Sequence, residues 1–106
     1  IYTNSGDIVD LSAPGGTFPP LGSLILSTWS PLSFDLPANF VFTAGTSMAA
    51  PHVAGAAAQL VGKNGSYVSP RTLRTILEES AEDLGPRGDD DVYGHGLVNV
   101  WEALQD

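Results

Sequence analysis

The residues best suited to chemistry lie in one string, Gly45-Thr46-Ser47-Met48-Ala49-Ala50-Pro51-His52-Val53-Ala54-Gly55. An alanine-rich stretch follows Ser47, so the serine falls in the first turn of a predicted helix. Unpaired backbone N–H groups and the positive end of the helix dipole lie there. A serine in that place can attack a carbonyl, and the same donors can hold the oxyanion that forms. Gly45 lets the chain turn tightly and lets a substrate backbone approach. The competing reading is that Ser47 only caps the helix, which is the commoner role of a serine before a helix. It is not the nucleophile elbow of α/β-hydrolases, because that motif needs glycine two residues after the serine and Ala49 stands there.

A hydroxyl needs a base to become a good nucleophile, and the chain has two histidines. His52 follows Ser47 by five residues on the same helix, about 500° of rotation, so the two side chains should point in different directions. His95 lies between Gly94 and Gly96 in a turn and reads as a surface or packing residue. Neither is expected to serve as the base. No cysteine is present, which excludes a thiolate nucleophile, a disulfide scaffold and a cysteine-ligated metal.

The elements that must position Ser47 follow from periodicity and punctuation. Thr46 to Lys63 is apolar with no polar face before Gln59, the pattern of a helix buried on all sides, and Asn64-Gly65 should end it. Pro51 is tolerable only near the N-terminus of a helix, which places the start near Thr46 or Ser47. Ser69-Pro70 is a cap with a first-turn proline. Leu73, Ile76, Leu77 and Ala81 then mark one helical face, ended by Gly85-Pro86. Asn99 can cap a short helix from Val100 to Leu104. Ile8 to Leu11 reads as a buried strand before the Ala13-Pro14-Gly15-Gly16 turn. Ser23 to Trp29 and Asn39 to Thr43 are further strand candidates. Phe18-Pro19-Pro20, Pro31 to Pro37 and Gly88 to Asp91 read as loops, and Tyr93 to Gly96 as a turn.

The 106 residues fit one small domain, and 42% of them are hydrophobic, so a core can form. Twelve acids against four bases give a net charge of −8. That sign opposes binding to nucleic acid or to an anionic membrane. The longest largely apolar stretch, Met48 to Val61, is too short to span a bilayer. Beginning at Ile1 without an initiator methionine, the chain reads as an excised or processed piece.

The eleven-residue string around Ser47 resembles the active-site serine motif of the subtilase family of serine peptidases. The resemblance extends to both sides. Tyr2-Thr3-Asn4-Ser5-Gly6 and Val9-Asp10-Leu11-Ser12-Ala13-Pro14-Gly15 look like the strand and turn that end in Ala-Pro-Gly. Tyr93-Gly94-His95-Gly96-Leu97-Val98-Asn99 with Ala103 looks like the closing pattern of that family. It is weakest from Thr17 to Pro37. The resemblance implies that residues 1–106 are the C-terminal fragment of a subtilase catalytic domain. The implied fold class is α/β, part of a subtilisin-like three-layer fold: a buried serine-bearing helix, two shorter helices and a few strands, with a mostly parallel sheet in the intact family. It implies a serine endopeptidase with a triad in the order Asp, His, Ser. Ser47 would be the nucleophile and its own N–H an oxyanion donor. Thr46, Phe42 and Thr43 would bind substrate, the last two on the leaving-group side, with Thr28 and Trp29 near the primary side-chain pocket. No His-Gly-Thr-His or Asp-Thr-Gly string occurs, so the remainder of the protease chain would have to carry Asp and His. The fragment is then expected to be inactive alone and to oligomerise through surface the intact sheet would bury. Expected partners are a protein or peptide substrate and that remainder. No cofactor is expected, the intact parent has room for structural calcium, and the parent is expected outside the cell, with an intracellular one the alternative. The rival readings are a non-catalytic homologue and a processed chain that stays docked as a structural piece.

Other motifs carry less. Asp10 resembles a weak cation ligand of some subtilisins, against a plain solvent-facing carboxylate. Asp89-Asp90-Asp91 lacks the spacing of an EF-hand and reads as a solvated acidic loop. Arg87-Gly88-Asp89 is a three-residue match of the kind that arises by chance. Asn64-Gly65-Ser66 is a formal glycosylation sequon. Gly94-His95-Gly96 lacks the third glycine and the preceding strand of a phosphate loop.

Overall fold

The computed structural model describes residues 3–33 and 37–105, without the side chain of Leu21. Tyr2 of the upstream motif and residues 34–36 of the expected loop lie outside that description.

Helix α1 runs Thr46–Asn64, about 28 Å at 1.5 Å per residue. It stops where Gly65 takes the left-handed conformation (φ 67°) and its N–H turns back to the Val61 and Gly62 carbonyls at 3.1 and 3.3 Å. Pro51 sits sixth in the helix, just past the first turn, and lacks the N–H that would have bonded the Ser47 carbonyl. The expectation of burial all round is corrected. Only Ala56 and Leu60 are buried in α1, while Ala50, Ala54, Gly55 and Ala58 face outward. An all-apolar helix needs cover on every side, and the described residues supply it on one.

Helix α2, Pro70–Glu79, begins as its sequence implies: Pro70 stands in the first turn and the Ser69 hydroxyl accepts from the Thr72 N–H at 3.1 Å. It ends at Glu79 rather than at Gly85-Pro86, leaving Ala81 outside. Long-range pairing competes with the helix there. Glu82 and Leu97 exchange two backbone bonds of 2.9 and 2.8 Å, which takes the chain out of the helical path. Helix α3, Val100–Ala103, is capped by Asn99, whose Oδ1 accepts from the Glu102 N–H at 3.0 Å. Removing either cap side chain should cost about 1 kcal/mol. In the intact protein Ser69→Ala is therefore expected to lower the free energy of unfolding by that amount in a urea titration, with the slope unchanged.

The core sits where the three helices meet. Ala56 and Leu60 of α1, Leu77 of α2 and Ala103 of α3 are buried, with Leu11, Val53, Leu73, Ile76 and Val98 packed around them. Lys63 Nζ donates to the Leu104 carbonyl at 2.7 Å and ties the end of α1 to the end of α3.

Strands β1, Ile25–Thr28, and β2, Phe40–Thr43, form an antiparallel pair with Ile25 opposite Thr43 and Leu26 opposite Phe42. A 3-10 turn at Leu21–Ser23 precedes them. The expected buried strand at Ile8 to Leu11 is not a strand. Ile8 is 85% exposed and the segment makes one parallel bridge, Ser12 to Leu97. A strand needs a continuous partner for its backbone, and here alternate groups alone find one: the Asp10 carbonyl accepts from the His95 N–H at 2.9 Å, and Ser12 bonds Gly96 and Val98 at 2.8 Å. Helices beside a small sheet make this a partial α/β architecture.

Candidate active site

The turn before α1 sets the geometry. Gly45 has φ 152° and ψ 165°, a region essentially restricted to glycine. Its N–H donates to the Gly15 carbonyl at 2.8 Å, which ties the serine turn to the Ala13–Gly16 turn. Its carbonyl accepts from the Met48 N–H at 2.9 Å and the Ala49 N–H at 3.4 Å. Among the described residues, the N–H groups of Thr46 and Ser47 have no acceptor, and no side chain caps the helix. Ser47 is exposed and its hydroxyl makes no hydrogen bond within the described residues. A nucleophile-sized hydroxyl thus stands beside two free backbone donors at the positive end of a 19-residue helix.

An open groove of about 300 Å³ runs past Ser47. Its walls are Ser47, Met48, Pro51 and His52 from α1 and Ile25, Leu26 and Ser27 from β1. Thr46 is exposed at the start of the helix. Phe42 and Thr43 lie one strand back, as the cross-strand partners of Leu26 and Ile25, and do not line the groove. Thr28 and Trp29 lie beyond its lining as well. The β1 wall and the Gly15 carbonyl were not singled out by the sequence. The Ala-Pro-Gly turn and the Leu/Ile run were the signals for them, but neither says which strand faces the serine.

Neither histidine is hydrogen-bonded to Ser47 among the described residues, and one expectation is corrected. His52 and Ser47 do not diverge completely, because both border the same groove. Positions 47, 48, 51 and 52 form one broad helix face, and side chains 140° apart sit at its two edges. No hydrogen bond joins them among the described residues. The His52 ring instead donates from Nδ1 to the Met48 carbonyl at 2.7 Å. His95 is held by its backbone N–H on the Asp10 carbonyl at 2.9 Å, and its ring Nε2 lies 3.9 Å from Glu78 Oε2.

Asp10 has an ionic partner within the chain. Its carboxylate is paired with the Arg74 guanidinium, which also donates from Nε to Glu78 Oε1 at 2.6 Å. The Glu78 hydrogen bond first, and the Asp10 charge next, raise the Arg74 pKa above its ordinary value. Among the described residues no cluster of three or more His, Asp or Glu is placed to hold a metal. Asp90 of the acidic run is engaged through one oxygen, while its Oδ2 is buried with no hydrogen-bond partner among the described residues. Its Oδ1 accepts from the Val92 and Tyr93 N–H groups at 2.7 and 2.9 Å and so closes a turn.

A serine presented by the first turn of a helix, over a groove and beside open backbone donors, has the geometry that a hydrolase nucleophile requires. Residues 2–96 match the Subtilase family, Peptidase S8, and the chain belongs to that family. It is 36% identical over 103 residues to an "Extracellular protease" of Xanthomonas campestris pv. campestris, covering 97% of this chain and 17% of that protein. It is 48% identical over 61 residues to "Subtilisin DY" of Bacillus licheniformis, covering 58% of this chain and 21% of that one. Among solved structures it superposes on a lanthipeptide protease with a TM-score of 0.80 and 32% identity, over 95% of this chain and 35% of that chain. It also superposes on fervidolysin from Fervidobacterium pennivorans, titled a keratinolytic enzyme related to subtilisin, with a TM-score of 0.68 and 33% identity, over 88% of this chain and 14% of that chain. The chain thus spans about a fifth of the length of these sequence relatives.

Proposed function

We propose that this chain supplies the nucleophile of a serine endopeptidase whose histidine and aspartate come from the remainder of the catalytic domain. The observation that carries this is the pair of open N–H groups at Thr46 and Ser47 beside an exposed serine hydroxyl, in a member of the subtilase family. In this reading Ser47 Oγ attacks the scissile carbonyl of a polypeptide, a histidine outside these residues takes its proton, and the oxyanion settles on the Ser47 N–H. Thr46 contacts the substrate; Phe42 and Thr43, which do not line the groove at Ser47, are kept for the leaving-group side on the family resemblance alone. The outward-facing apolar side of α1 supports the need for the remainder, since that surface is suited to being covered by protein. The extracellular naming of the Xanthomonas relative supports a secreted parent.

A fluorophosphonate probe tests the reading. It should label Ser47 in the full-length protease and leave the isolated 106-residue chain unlabelled. Rapid labelling of the isolated chain would show that a base is present within it. Absence of labelling in the full-length protein would point to a non-catalytic homologue.

A further inference from the structure

Asn64-Gly65 is a motif that the catalytic reading does not use. Asparagine followed by glycine is the pair most open to intramolecular imide formation, because glycine puts no side chain in the way of its own nitrogen. Both residues are exposed, and a Cβ placed on Gly65 would meet nothing within 4 Å. Tertiary packing therefore does not shield Gly65. Hydrogen bonds do. The Gly65 N–H is turned into the helix end on the Val61 and Gly62 carbonyls, at 3.1 and 3.3 Å. The Asn64 carboxamide is held as well, with Nδ2 donating to Ser66 Oγ at 2.9 Å and to the Ser66 carbonyl at 3.5 Å. In this arrangement the nucleophile and its target are each held by other partners.

We propose that Asn64 is a site of spontaneous covalent modification, held latent by the left-handed cap at Gly65 and released when the end of α1 opens. On opening, the Gly65 backbone nitrogen attacks Asn64 Cγ. The Cγ–Nδ2 bond breaks, and the carboxamide nitrogen leaves as ammonia with the proton given up by the attacking amide. The succinimide that results takes up water at either carbonyl and yields aspartate or isoaspartate at position 64. Neither product closes the cap as before. The new charge lies at the negative end of the helix dipole, the Nδ2 donor to Ser66 is gone, and isoaspartate adds a carbon to the backbone. Each opening that reacts is thereby recorded irreversibly. The bond from Lys63 Nζ to the Leu104 carbonyl, one residue upstream, helps to hold this end closed.

The test uses the full-length protein with Ser47→Ala to prevent self-digestion, incubated at mildly alkaline pH in native buffer and in concentrated urea. Peptide mass spectrometry follows conversion of Asn64 and separates aspartate from isoaspartate. Conversion should be at least about tenfold faster in urea, because local opening limits it in the folded state. Adding Lys63→Met leaves the Asn-Gly chemistry intact and removes the tie to α3. It should raise the native rate by about two- to threefold. Equal rates in buffer and urea, no conversion in urea, or a Lys63→Met variant no faster than its parent would each overturn the proposal.

Discussion

Ser47→Ala in the intact protein is expected to lower kcat by about six orders of magnitude, the scale of nucleophile removal in subtilisin itself. Folding should hardly change. The Ser47 side chain is exposed and makes no hydrogen bond within the described residues, and alanine suits the first turn of a helix. The oxyanion donors are backbone groups and survive the substitution, so a small residual rate over water is expected. Peptide hydrolysis and a thermal melt on the same preparation separate chemistry from folding. A variant within about tenfold of the parent would remove Ser47 from the mechanism. A collapsed melting temperature would assign it a structural role instead.

Gly96→Ala is expected to be the most damaging conservative change to stability. Gly96 has φ 122°, and a Cβ there would overlap the Glu82 carbonyl and lie 3.0 Å from Asp83 Cα. Both obstacles are backbone, so no rotamer change relieves the clash. The same spot joins three segments. The Ser12 N–H donates to the Gly96 carbonyl and the Val98 N–H to the Ser12 carbonyl, both at 2.8 Å, and Leu97 exchanges its pair of bonds with Glu82. Strain of this kind costs about 1–3 kcal/mol before any ladder bond is lost. With loosened pairing we expect about 4 kcal/mol in all, at the high end for a single substitution. In the intact protein that corresponds to a melting temperature lower by roughly 10 °C. Activity should fall with it, because Ser12 leads into the turn whose Gly15 carbonyl holds Gly45. A melting temperature within about 2 °C of the parent would show that the three segments adjust without cost.

These two positions differ in how far the sequence reveals them. Ser47 stands in a string whose residue types state a local geometry: a glycine turn, a helix start and an exposed hydroxyl. Gly96 is one glycine among twelve, and its importance comes from Glu82 and Ser12, 14 and 84 residues away in the chain. The misread elements share that origin. Ile8 to Leu11 has the composition of a strand, but among the described residues it meets no continuous neighbour to pair with. Helix α2 ends early because Leu97 competes for the backbone at Glu82. Asp10 gives no sign in sequence of its ionic partner Arg74, 64 residues away.

Residue types alone pointed to Ser47 as the candidate nucleophile, to the family, and to the starts of the three helices and the stop of α1. Each depends on contacts within about one turn: the hydroxyl of Ser69 on Thr72, the carboxamide of Asn99 on Glu102, the left-handed glycine after Asn64. The tertiary structure alone decided that β1 rather than β2 lines the groove at Ser47, that Gly15 anchors Gly45, and that His52 turns its ring to Met48 instead of the serine. Strand placement and side-chain pairing are settled by free energies shared between distant segments, and one segment's composition does not encode where the other will be. The apolar circumference of α1 belongs to both accounts. Its pattern states that the helix is to be covered on every side, and the fold of these residues covers one.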